Sequence, residues 1–225
     1  MHPKNPPIPT LRSLPAQPRR IILHWTGGGP EAGGADLAAY HYVVQQDGIV
    51  REGVPVPRNM RDLSGQPISE YAAHTRGLNS YSVGVGLAGM WQAREGGPYG
   101  EYPITEEQVE AACHWVARLC DAWELPVDAT TVHSHWEAEH LHGVPQTGKW
   151  DITVLPWDPA ILPHEVGPTL REWVRQAQKD DPEIPTPELA PPPLRVQVPQ
   201  SDPLWRRVVE RVRGAIRSSR DDGTA

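Results

Sequence analysis

The sequence predicts an α/β fold: a single domain with a central mixed β-sheet flanked by helices. Three observations carry this expectation. Short apolar runs of strand length intermix along the chain with stretches of helical periodicity. Asp47-Gly48 lies between two apolar runs and signals a hairpin. The 26 prolines concentrate toward the two ends, which leaves a compact middle between irregular flanks.

The elements follow in order. Residues 1–19 are proline-rich and lack periodicity, so they read as an extended lead-in. Arg20-Ile21-Ile22-Leu23-His24-Trp25 is a short apolar run, expected as a buried strand. Gly27-Gly28-Gly29-Pro30 and Gly33-Gly34 make a loop, and Asp36 to Tyr40 a short helix. His41 to Val44 and Ile49 to Glu52 pair around Gln45-Gln46-Asp47-Gly48, with positive φ tolerated at both residues of the Asp-Gly pair. Residues 54–80 read as connecting loop. Ser82 to Ala88 is rich in Val and Gly and reads as another strand, where glycine marks the close approach of a backbone or ligand.

Thr105-Glu106-Glu107-Gln108 has the form of a capping box. Val109, Ala112, Cys113, Val116, Leu119, Cys120 and Trp123 then recur at helical spacing. Thr130 to Ser134 is a short β-branched strand. Thr169 to Ala177 is a further short helix with Leu170, Trp173 and Val174 on one side. The compact part therefore covers residues 20–179. Residues 180–203 have the composition of a proline-rich linker. In residues 204–225, Leu204, Val208, Val212 and Ile216 fall four apart among six arginines, which predicts a basic amphipathic helix.

The net charge of −7 argues against nucleic acid as a partner of the whole molecule. The two cysteines, Cys113 and Cys120, stand seven apart on the predicted helix. That spacing is about 10 Å along the axis, beyond the roughly 7 Å a disulfide spans, so both are expected as reduced, core-facing thiols. The N-terminus has no apolar run of the secretory kind, and no stretch approaches the roughly 18 apolar residues of a membrane span.

The chemistry gathers in two distant places. His24 ends a predicted strand and opens a glycine-rich loop, where sites are built in α/β sheets. More than a hundred residues later come His133-Ser134-His135-Trp136-Glu137 and Gly148-Lys149-Trp150-Asp151-Ile152. Two imidazoles, a carboxylate and a lysine suit a hydrolytic zinc site, which takes three protein ligands and keeps one position open. His133 and His135, two apart on a strand, would share a face, so either fits as a ligand. Lys149 and Asp151 alternate about Trp150 as on a strand and would point the same way. Asp36 and Glu137 are candidates to orient the ligating imidazoles. His41, His140 and His142 read as residues behind the ligands or in loops.

In order along the chain stand Tyr40-His41-Tyr42-Val43-Val44 with Asp47-Gly48, Ala73-His74-Thr75-Arg76-Gly77-Leu78-Asn79, Ser82-Val83-Gly84-Val85, His135-Trp136-Glu137, and Gly148-Lys149-Trp150-Asp151-Ile152 with Leu155-Pro156-Trp157. This series resembles the type 2 N-acetylmuramoyl-L-alanine amidases, whose fold phage endolysins share with peptidoglycan recognition proteins. The resemblance spans residues 18–178 and implies zinc held by His24, His135 and Asp151. His135 is preferred to His133 because Glu137 then falls where the family has an acidic residue two places on. Tyr40 and Lys149 match the positions that assist catalysis in phage-type members, and His74, with Asn79, matches the substrate groove.

One departure matters. Many bacterial members carry a catalytic Glu where this chain has Gly86, which favours the Tyr40–Lys149 pair. The implied substrate is peptidoglycan, cut between the lactyl group of N-acetylmuramic acid and L-alanine by an endolysin held in the host cytoplasm until released to the wall. The basic tail would contact an outer membrane or its lipopolysaccharide. The alternatives are a non-catalytic peptidoglycan-binding module and a zinc peptidase cutting the stem peptide.

Overall fold

The computed structural model describes residues 5–180. The expected proline-rich linker after residue 180 and the amphipathic helix over 204–225, with its outer-membrane contact, lie outside the described residues. Among the described residues no helix is long and apolar enough to cross a membrane.

Five strands form one mixed sheet: β1 (Arg20–Trp25), β2 (Tyr42–Val44), β3 (Val50–Glu52), β4 (Ser82–Leu87) and β5 (Val132–Ser134), in the order β3-β2-β4-β1-β5. β1 lies between β4 and β5 and is parallel to both, β2 is parallel to β4, and only edge strand β3 is antiparallel. Among the described residues four α-helices accompany the sheet: α1 (Gly34–Ala39), α2 (Glu106–Ala122), α3 (His135–His142) and α4 (Pro163–Asp180).

Side-chain alternation sorts the two faces of the sheet. Ile21, Leu23 and Trp25 of β1 join Val83, Val85 and Leu87 of β4 in the main core, packed with α2 and α4. Ile22 and His24 point to the opposite face, where Ile22 packs with Leu78 and Ala138. The alternate residues of β4 on that face are Gly84 and Gly86, and the second stands opposite His24 in the sheet register. A Cβ at Gly84 would overlap the His74 ring, and one at Gly86 would stand 3.0 Å from the Tyr40 ring. The glycines of this strand therefore make room for two aromatic side chains that lie against His24.

The hairpin forms by a three-residue loop rather than a two-residue one. Gly48 N–H donates to the Gln45 carbonyl, and only Gly48 has positive φ, at 79°. Asp47 contributes through its side chain, which accepts from the Ile49 N–H at 3.0 Å. At the start of α2, the Thr105 hydroxyl accepts from the Gln108 N–H as expected. The reciprocal bond of a capping box is absent, because the buried Gln108 amide donates instead to the Val44 and Ala88 carbonyls at 2.8 and 2.9 Å. Val109, Ala112, Cys113, Val116, Leu119, Cys120 and Trp123 are all buried. The two cysteines are free, with burial pushing both thiols up to about 12.

Two elements differ from expectation. α4 begins six residues before Thr169, with Pro163 at its first position and Glu165 accepting from the Leu162 N–H. It runs through Pro168, and a proline inside an apolar pattern reads from sequence as a break. Helix α3 occupies residues read only as a motif. Ser134-His135-Trp136-Glu137 is a complete capping box, in which the Ser134 hydroxyl accepts from the Glu137 N–H and Glu137 accepts from the Ser134 N–H.

The lead-in crosses the end of α2, where Trp123 Nε1 donates to the Pro9 carbonyl at 2.8 Å and Gln17 to the Trp123 carbonyl. α4 fastens the other side. Arg171 forks onto both Glu137 carboxylate oxygens at 2.9 and 3.0 Å and also reaches the Val132 carbonyl. Glu137 is thus committed to the start of α3 and to Arg171, and does not orient an imidazole. Replacing Arg171 with Ala leaves this carboxylate largely buried and unpaired. The expected loss is about 3 kcal/mol of stability, read by urea unfolding; a loss below about 1 kcal/mol would show that the pair contributes no more than a surface ion pair.

Candidate metal centre

His24 is the fifth residue of β1, His135 opens α3 at the end of β5, and Asp151 lies in the loop that follows α3. Three segments meet because β1 and β5 are adjacent and parallel, so both deliver their C-terminal ends to one edge. This is where open α/β sheets place their sites. Trp136 N–H donates to the Asp151 carbonyl at 2.6 Å and ties that loop to the first turn of α3.

All three side chains are buried. His24 Nδ1 stands 2.9 Å from Asp151 Oδ2 and 3.1 Å from His135 Nδ1, and His135 Nδ1 stands 3.0 Å from the same Oδ2. The opposite ring nitrogens are engaged elsewhere. His135 Nε2 faces Gln146 Oε1 at 2.9 Å. His24 Nε2 faces the Thr75 hydroxyl at 3.3 Å and His74 Nδ1 at 3.2 Å. With the ring protons on the Nε2 side, two bare nitrogens and one carboxylate oxygen converge on a single point. Such a set of lone pairs is mutually repulsive unless a cation accepts them. Among the described residues it is the group able to hold a metal ion. Two imidazoles and a carboxylate are ligands suited to zinc.

The electrostatics agree with that use. Burial pushes the His24 imidazole down to about 4, and the neighbouring His135 and Lys149 add to the effect against Asp151. The ring is therefore neutral near pH 7, as a ligand must be.

The remaining predicted residues distribute as follows. The Tyr40 ring lies 5.2 Å from the His24 ring, centroid to centroid, and its hydroxyl donates to the Trp25 carbonyl at 3.4 Å. Burial, with the Asp151 and Asp36 charges, raises the Tyr40 hydroxyl pKa and keeps it protonated. Lys149 is exposed while Asp151 is buried, in a loop rather than a strand, so the two side chains do not point the same way. His74 is buried behind His24. Asn79 accepts from the Thr75 N–H at 2.8 Å and closes the turn that carries Thr75. Asn59 staples the same loop by exchanging hydrogen bonds with Ala72 and donating to the Asn79 carbonyl.

His133 remains on β5 beside His142, at 5.0 Å between ring centroids, and is not brought to the three donor atoms. The pairing of His133 with His135 on one strand face fails because Ser134 ends the strand and caps a helix. Asp36 accepts from the Gly33 N–H at the start of α1 and touches no imidazole in the described structure. Thr75 and Gln146 face the ligating rings from behind; Thr75 lies within the Ala73–Asn79 motif without a role assigned to it, and Gln146 lies in a stretch of no evident pattern.

Burying neutral imidazoles makes folding sensitive to acid. His41, whose Nδ1 accepts from the Gly84 N–H, is pushed down to about 3 by burial, and His24 to about 4. Between the unfolded value of about 6.5 and these folded values, the unfolded chain takes up protons that the folded one refuses. Stability therefore falls as pH drops through this window, by up to about 1.4 kcal/mol per pH unit for each such histidine. The urea midpoint of metal-free protein should fall steadily from pH 6.5 to 4; a flat midpoint would contradict the buried neutral state.

The family model for N-acetylmuramoyl-L-alanine amidase matches residues 14–182. No curated protein matches. Among solved structures, the Ph2119 endolysin from the Thermus scotoductus MAT2119 bacteriophage is similar at 20% identity and a TM-score of 0.41, over 71% of this chain and 86% of its own. The endolysin amidase LysCS from Clostridium intestinale is similar at 15% identity and a TM-score of 0.38, over 59% and 76%. The bumblebee peptidoglycan recognition protein SA is similar at 17% identity and a TM-score of 0.38, over 60% and 75%.

Proposed function

The chain belongs to the N-acetylmuramoyl-L-alanine amidase family, and from that membership we propose that it is a zinc-dependent peptidoglycan amidase. It cuts the amide between the lactyl group of N-acetylmuramic acid and the L-alanine of the stem peptide. The observation that carries the reading is the convergence of His24 Nδ1, His135 Nδ1 and Asp151 Oδ2 within 3.1 Å of one another. These three hold the ion. When bound, zinc supplies Lewis acidity and a water acidic enough to serve as nucleophile near pH 7.

The chain's own residues do the rest. The Lys149 ammonium, whose charge is felt at His24, stabilises the oxyanion that develops on the scissile carbonyl. Tyr40, protonated and lying against His24, orients the reacting groups through its hydroxyl. His74 and Asn79 support the substrate side: His74 from behind His24, and Asn79 through the turn that carries Thr75. The absence of a Glu at position 86 follows the same logic. The Tyr40 ring occupies the space over Gly86 that such a side chain would need, which supports the Tyr40–Lys149 pair of phage-type members and, with it, an endolysin acting in host-cell lysis.

Purified peptidoglycan digested with the enzyme and analysed by mass spectrometry should release intact stem peptides with a free L-alanine amine. Chelation, or His24→Ala, should abolish release. Undiminished turnover by metal-free protein would refute the zinc site, cleavage within the stem peptide would identify a peptidase, and binding without any cleavage would identify a recognition module.

Lys149→Ala should lower kcat about 100- to 1000-fold with little change in the urea midpoint, since the side chain is exposed. A kcat within about tenfold of the parent would remove Lys149 from the oxyanion role.

A further inference from the structure

We propose that Gln146 is the positioning residue of the metal centre: it dictates which nitrogen of His135 carries the proton and so turns the bare Nδ1 toward the ion. The inference deepens the metal-site reading above and rests on it. Gln146 is buried, at 5% exposure, in the segment that leads from α3 to Lys149. Its side-chain amide has two N–H donors and one carbonyl oxygen. Both donors are committed, to the Arg76 carbonyl and the Val144 carbonyl at 3.0 Å each. Carbonyls only accept, so the amide cannot turn over without setting its own oxygen against two others.

Gln146 Oε1 is thereby aimed at His135 Nε2, 2.9 Å away. A pure acceptor at that position requires an N–H opposite it. A neutral imidazole has one proton, so Nδ1 is left bare on the side of Asp151 and His24.

The frame that holds Gln146 is itself anchored. Its backbone N–H donates to Glu139 Oε2 at 2.9 Å, on the same helix that His135 opens. Val144, two residues earlier, packs against Ile22, Leu78 and Ala138. The Arg76 carbonyl belongs to the loop whose Thr75 hydroxyl faces His24 Nε2. One amide thus links the loop behind the first imidazole to the ring of the second. Removing a partner that orients a metal-ligating histidine typically weakens metal binding about 10- to 100-fold.

The tautomer can be read directly from long-range proton–nitrogen NMR of metal-free wild-type protein. The expected result is His135 protonated on Nε2; protonation on Nδ1 would overturn the proposal without any variant or any assay of cleavage. Gln146→Met removes the acceptor at similar length. It should mix the His135 tautomers and weaken zinc binding about 10- to 100-fold in competition with a chromophoric chelator. Gln146→Glu keeps an oxygen toward Nε2 but sets its second oxygen against the Arg76 and Val144 carbonyls, so it should keep the His135 tautomer while lowering the melting temperature. Wild-type tautomer and affinity in Gln146→Met, or mixed His135 tautomers in Gln146→Glu, would reduce Gln146 to a loop-packing residue. Wild-type protein that holds its proton on Nε2 but takes up no zinc would sink the function proposed above and leave the tautomer assignment standing.

Discussion

The arrangement depends on one electrostatic constraint. Three atoms able to bind a cation, His24 Nδ1, His135 Nδ1 and Asp151 Oδ2, stand 2.9 to 3.1 Å apart, and with the ring protons on Nε2 their lone pairs point inward. In a buried, poorly solvated setting such a cluster is costly unless a cation occupies it. The surrounding structure resists its relaxation. β1 and β5 run side by side and end together, the capping box at Ser134 starts α3 at once, and the loop carrying Asp151 is tied back to Trp136. The Arg171–Glu137 pair holds the start of α3 from the far side. Moving any one ligand means breaking a bond in one of these elements.

The second theme is space. A parallel strand in the middle of a sheet is ordinarily filled with β-branched residues on both faces. β4 has valine and leucine on the face that meets α2, but glycine at 84 and 86 on the other. Those absent side chains admit the His74 and Tyr40 rings next to His24. The sheet gives up packing on that face to seat polar rings in the interior. The acid sensitivity expected of the fold follows from the same choice, since rings seated there are held neutral by burial.

Much of this was legible in the sequence, for identifiable reasons. The β1 run, the hairpin and the buried face of α2 are strong local patterns, and His24 stands out because it ends a strand before a glycine-rich loop. The glycines of β4 correctly signalled a close approach, though not by what. Misreadings arose where two rules competed. His135, two places after His133, reads as lying on the same β-branched strand, although the capping-box form of Ser134-His135-Trp136-Glu137 favours a helix start. Lys149-Trp150-Asp151 alternates like a strand but is a loop, so its polar residues diverge. Gln146 left no trace in the pattern, because a single amide acts through three-dimensional partners contributed by Arg76, Val144 and His135.

The central claim is that residues 24, 135 and 151 form one metal site through these particular atoms. X-ray absorption at the zinc edge, combined with anomalous diffraction from zinc-loaded crystals, tests it most directly. The expected result is a single ion about 2.0–2.2 Å from His24 Nδ1, His135 Nδ1 and one Asp151 oxygen. An ion bound through Nε2, one held by His133, or an empty centre in zinc-saturated protein would contradict it.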